Sequence, residues 1–128
     1  MWKFVITTGK MYDPDGNEVG PGGYAGGNLG KNPEGKDNPA DESLPDIGPI
    51  PEGTYTFGEL VLHHPKLGQY CFPLIPDPGN TMYGRSGFWC HGDTAIPGNA
   101  SEGCIVMPHN VRVSMYTSAD HVLQVVAA

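Results

Sequence analysis

No apolar run in this 128-residue chain approaches the length of a membrane span. Nor does it open on a leader with an apolar core: the first ten positions, Met1 to Lys10, already include two threonines, a glycine and two lysines. The expectation is a chain made in the cytoplasm without a signal peptide or membrane span. Positive charge is scarce, with seven Lys and Arg against fourteen Asp and Glu and a net charge of −7. The basic residues are scattered singly, so no face can follow a phosphate backbone, and nucleic acid is excluded as a partner. Only three cysteines are present, with no CxxC pair. At most one intramolecular disulfide can form, and one thiol is left over. Helical periodicity is nearly missing as well, which leaves a β-rich reading by default.

What the chain has in quantity is glycine (19) and proline (13), together a quarter of its residues. These are interleaved with aromatic and β-branched runs, a pattern of short strands joined by turns. Strands are expected over 2–8, 53–57, 69–75, 84–91, 103–107 and 121–126. Asp13-Pro14-Asp15-Gly16 supplies a reversal after the first. Pro73 places the third strand at an edge or a bulge. Residues 21–51 are nearly all turn formers and form one long Gly/Pro-rich loop, read as a lid over the site whose glycines let it move. One helix is expected near 109–118, where Pro108 suits a first turn and Val111, Met115 and Tyr116 recur at helical spacing. The fold class is mainly β, a single domain over 1–128 with one short helix.

The chemistry concentrates in Phe88-Trp89-Cys90-His91-Gly92-Asp93 and Ala100-Ser101-Glu102-Gly103-Cys104-Ile105. A thiol nucleophile needs a nearby imidazole or positive environment to become thiolate, and backbone N–H groups aimed at the developing oxyanion. Gly103 frees the backbone for such a turn, with the amides of Gly103 and Cys104 as candidate donors. Strand alternation puts His91 and Trp89 on one face and Cys90 and Phe88 on the other. That makes Cys104 the candidate nucleophile and His91 its base. Cys90 becomes a core thiol, with a disulfide to Cys71 as an alternative state. Zinc is disfavoured, because neighbouring strand residues such as Cys90 and His91 cannot face one ion; no metal or other cofactor is expected. His63 and His64, before Pro65, read as a solvated polar turn. A buried cysteine is also commonly just a small hydrophobe, so an inert Cys104 stays open at this level.

His-Gly, a short loop, then Ser-x-Gly-Cys-Ile/Val resembles the signature of the L,D-transpeptidase catalytic domain, whose cysteine acts on bacterial peptidoglycan. The order His before Cys agrees, whereas papain-like and NlpC/P60-type peptidases place Cys first. A closer resemblance is to L,D-transpeptidase-like effectors of type VI secretion systems. It runs through Tyr24-Ala25-Gly26, Ile47 to Tyr55, Pro76 to Asn80, Gly84 to Phe88, His91 to Asp93 and Ala100 to Ile105. It implies a small β-sandwich or barrel in which Cys104 attacks the peptide stem between a diamino acid and D-Ala. The acyl group would pass to water or to a free D-amino acid. It further implies secretion into the periplasm of target bacteria and a cognate immunity protein. Cys104 matches the nucleophile, His91 the base, and Ser101 and Gly103 the turn that shapes the oxyanion site. Asp93 is expected to orient the His91 ring, with a main-chain carbonyl as the alternative. Arg85 is expected to hold a stem carboxylate or to form a surface ion pair with Asp77 or Asp93; Tyr24, Trp89 and Gly92 complete the substrate-binding set. The wider family has His or Arg before Gly-Cys and Arg soon after it, where this chain has Glu102 and Val106. The competing functions are a cysteine amidase or endopeptidase of peptidoglycan and a non-catalytic binding module of a secretion or phage-tail particle.

Overall fold

A computed structural model describes residues 1–94 and 98–128; positions 95–97, in the stretch between Asp93 and Ser101, lie outside them. The strands are β1 (Trp2–Val5), β2 (Lys10–Tyr12), β3 (Glu18–Val19), β4 (Tyr24–Ala25) and β5 (Gly53–Phe57). They continue with β6 (Val61–His64), β7 (Gly68–Pro76), β8 (Trp89–His91) and β9 (Ile105–Val106), then the helix α1 (His109–Thr117) and β10 (Val122–Val126). All ten strands join one sheet in the order β3-β2-β1-β10-β5-β7-β8-β9-β4, with β6 also paired to β7. Among the described residues the architecture is mainly β with a single short α-helix, compatible with a small β-sandwich. The nine-residue β7 connects its parts, holding β6 and then β5 along one edge and β8 along the other.

Alternation in the sequence shows directly which side chains form the core. Tyr55 and Phe57 of β5 point inward while Thr56 stays exposed, and Leu123 and Val125 do the same from β10. Phe4, Ile6, Tyr55, Phe72, Ile105, Met115 and Leu123 are fully buried. Each such side chain contributes about 1.5–3 kcal/mol by leaving water. Helix α1 lies against β7 and inserts Val111 and Met115 into the same core.

Several boundaries differ from the sequence expectation. The first strand stops at Val5, because Gly9 (φ 71) turns the chain there and its amide returns to the Val5 carbonyl. The Asp13 turn reverses β2 into β3, its carboxylate accepting from the Asp15 and Asn17 amides. Of residues 84–91 only Trp89–His91 pair as strand, and of 103–107 only Ile105–Val106. Pro73 lies beside a bulge, as expected: between the Gly58–Pro73 bond and the Val61–Cys71 pair, Glu59 and Leu60 stand opposite Phe72 alone. The Pro73 carbonyl accepts from Gly58, in the gap between β5 and β6, where no partner strand asks for the missing N–H. His63 and His64 belong to β6 rather than to a turn, with His63 solvent-exposed as expected and His64 half-buried.

Residues 21–51 hold β4 and three 3-10 turns at Asn28–Gly30, Pro33–Gly35 and Pro39–Asp41. The segment is fastened to the body of the protein. Gly26 donates to Ser101 Oγ, Leu29 to the Ser101 carbonyl, and Ile50 is fully buried. These bonds tie the segment to the turn that precedes Cys104.

Candidate functional site

Cys104 and His91 open onto one pocket of about 410 Å³. The parallel pairing of β8 and β9, with Cys90 opposite Ile105 and His91 opposite Val106, brings Cys104 alongside Trp89. The Trp89 amide donates to Cys104 Sγ at 3.4 Å. Cys104 is half-buried, and desolvation pushes its thiol above the ordinary value despite the opposing pull of the Trp89 N–H and Arg85. The resting side chain is therefore a protonated thiol at neutral pH.

His91 is 3% exposed, and burial lowers its pKa from the usual 6.5. Its Nδ1 lies 2.8 Å from the Gly92 carbonyl. A carbonyl only accepts, so Nδ1 carries the hydrogen and Nε2 keeps its lone pair; the tautomer follows from this bond. No hydrogen bond joins His91 to Cys104 among the described residues, but both side chains face the same space.

The other expected residues divide into those that line the pocket and those that hold it together. Trp89 is a wall, and Gly92 serves through its carbonyl. Asp93 does not bond His91. Its carboxylate accepts from Tyr24 Oη at 2.6 Å and from the Thr94 and Gly98 amides, so ring orientation falls to Gly92. Tyr24 lies outside the pocket. Its hydroxyl also accepts from the Ala100 amide, and burial with the Asp93 bond keeps it protonated. The pair works as a latch between β4 and the segment leading to Cys104.

Arg85 is neither a free carboxylate receptor nor a surface ion pair. It is 8% exposed, and its guanidinium donates to the carbonyls of Glu42 (2.6 Å), Pro49 (2.7 Å), Gly48 (3.1 Å) and Glu102 (3.3 Å). All four terminal N–H bonds are spent on backbone, joining the 21–51 segment to the nucleophile turn. Ser101 is similarly committed. Its Oγ donates to the Cys104 carbonyl and accepts from Gly26 and Gly103. The Gly103 amide is therefore taken, and it is not the oxyanion donor expected from the sequence. Gly103 itself has φ 138, and a Cβ there would meet Arg85 Nη2 at 2.6 Å.

Cys71 and Cys90 are both free thiols, so the alternative disulfide is not formed. The register explains why: Cys90 faces Phe72 and Cys71 faces Val61. Cys90 is fully buried, its thiol pushed up to about 12 by desolvation, as suits a core position. The sequence did not single out Leu29, Pro45, Asp46 or Lys66, and His64 was misplaced; all five line the pocket. The His64-Pro65-Lys66 turn was visible as a turn, but nothing in its spacing tied it to Cys104.

What these features define is a small mainly β domain whose pocket holds a protonated thiol and a neutral, carbonyl-oriented imidazole. Residues 29–127 match the model of the Tlde1 domain, and the chain belongs to this family of type VI secretion effectors, which makes it a secretion-apparatus cargo with an antibacterial role. No curated protein and no solved structure matches it. Among the described residues, no helix is long and apolar enough to cross a membrane.

Proposed function

We propose that the chain is a cysteine L,D-carboxypeptidase or D-amino-acid exchanger acting on peptidoglycan tetrapeptide stems, delivered to the periplasm of target bacteria and neutralised in the producer by an immunity protein. The observation that carries this is the shared pocket of Cys104 and His91, with burial favouring the neutral imidazole and no hydrogen-bond partner at its Nε2 among the described residues. On substrate binding, His91 Nε2 takes the thiol proton as Sγ attacks the carbonyl between the diamino acid and D-Ala. The tetrahedral oxyanion is assigned to the Cys104 amide, since Ser101 occupies that of Gly103. Collapse breaks the C–N bond, and the imidazolium returns its proton to the departing D-Ala amine. Water, or the amine of a free D-amino acid, then attacks the thioester with His91 again as base, and the thiol is regenerated. The Ser101-to-Ile105 sequence supports the choice of an L,D-transpeptidase-like reaction among cysteine acyl transfers.

Digestion of purified muropeptides followed by mass spectrometry tests the activity. Tetrapeptides should lose one terminal alanine, or shift by the mass of an added D-amino acid. Products that separate glycan from stem would indicate an amidase instead. In cells, periplasm-directed expression should be toxic and the Cys104→Ala variant harmless; equal killing by both would refute the mechanism.

A further inference from the structure

The pocket described above contains an unclaimed polar corner at the turn between β6 and β7. His64 Nδ1 accepts from the Lys66 amide at 3.1 Å and the Leu67 amide at 3.0 Å. A nitrogen accepting two N–H groups carries no hydrogen, so His64 holds its proton on Nε2, as a donor. No protein acceptor meets that donor among the described residues. The ring packs edge-on against Trp89 at 5.0 Å, and the Trp89 amide touches Cys104 Sγ. The corner therefore lies on the Trp89 side of the thiol. Lys66 lines the same pocket, is exposed, and has no ion pair among the described residues. Arg85, the other cation of the pocket, is spent on four carbonyls. The acidic lining, Asp46 and Glu102, comes from the 21–51 segment and the nucleophile turn. Positive and negative groups thus enter the pocket from different elements.

We propose that His64 Nε2–H and the Lys66 ammonium bind the free C-terminal carboxylate of the residue that leaves, which makes the enzyme an exopeptidase requiring an unblocked stem end. The inference rests on the stem-peptide activity proposed above and goes beyond it by naming what recognises the substrate terminus. A charge-assisted bond to a carboxylate favours the acid over a neutral end, whereas an amidated or extended stem leaves Lys66 without a counter-charge.

The test uses the full chain with two substrates, a disaccharide tetrapeptide and the same molecule carrying a C-terminal carboxamide. Wild type should prefer the acid by roughly tenfold or more in kcat/KM. Lys66→Met keeps the apolar stem, and His64→Asn keeps an acceptor for the turn amides while removing the Nε2 donor. Each variant should move the acid-to-amide ratio towards one, mainly by raising KM for the acid. Equal wild-type rates on both substrates would overturn the inference while leaving the stem-peptide activity standing. So would variants that slow both substrates alike and keep the ratio, because that marks a structural role. A wild type that cleaves neither substrate overturns the activity itself, and the inference with it.

Discussion

Burial acts in opposite directions on two of the pocket's ionisable groups, raising the Cys104 thiol and lowering the His91 imidazole. Both shifts favour the neutral form of the resting pair. Alkylation of Cys104 in the free enzyme should accordingly stay slow at pH 7 and accelerate only above the ordinary thiol pKa of 9.0, as a pH series with iodoacetamide would record. For His91 the sign is the reverse of a salt-bridged histidine. The unfolded ring protonates near 6.5 and the folded ring only at lower pH, so protons favour the unfolded chain in that interval. The stabilisation is present above pH 6.5 and is lost as pH falls through the folded value. Thermal melts should show Tm dropping on acidification below 6.5, with a shallower slope in His91→Asn. The acid limb of kcat/KM should likewise lie below 6.5. Cys104→Ala should lower kcat by about 10³-fold or more. At Gly103, both φ 138 and the Arg85 contact oppose any side chain. Gly103→Ala should cost about 1–3 kcal/mol in urea unfolding and reduce turnover as well.

At the scale of elements, the site depends on how the 21–51 segment is bound to the nucleophile turn, and Arg85 makes four of those bonds. Arg85→Leu would leave several buried carbonyls unpaired, at a cost of about 3 kcal/mol or more. The urea midpoint should fall, with activity lost through misplacement of the turn rather than through a selective rise in KM. This role was hidden in the sequence for a physical reason. Arg85 lies close to His91 in the chain, which suggested substrate binding, but three of its acceptors are carbonyls 36 to 43 residues away that carry no side-chain signature. The same limit hid the Tyr24–Asp93 latch, 69 residues apart, and the pocket face of His64. What was legible came from local rules. Gly53–Phe57 announces itself by alternation, and the helix starts just after Pro108 with its apolar residues in phase. The nucleophile turn was marked by Gly103 next to Cys104, although the glycine's role is to clear space for Arg85 and its amide is engaged by Ser101. Pro73 was legible by the same kind of rule, since a proline in a strand calls for an edge or a bulge and two residues stand opposite its neighbour Phe72.

Across the whole molecule, β10 lies between β1 and β5 and joins the hairpin strands of the N-terminal region to the strands that carry the pocket. It pairs in parallel with β1, Trp2 opposite Leu123, and the Met1 ammonium closes on Asp120. Removing residues 122–128 should therefore abolish the fold rather than trim it, giving a chain without near-UV circular dichroism or dispersed amide resonances. The same pairing constrains the order in which the sheet can be assembled. β1 is made early, yet its parallel partner β10 follows every other strand described. Until residues 122–126 have been made, β1 keeps one edge unpaired and the pocket strands lack the neighbour that connects them to it. Closure of the sheet is thus timed by the synthesis of one distant segment rather than by local folding of the hairpins.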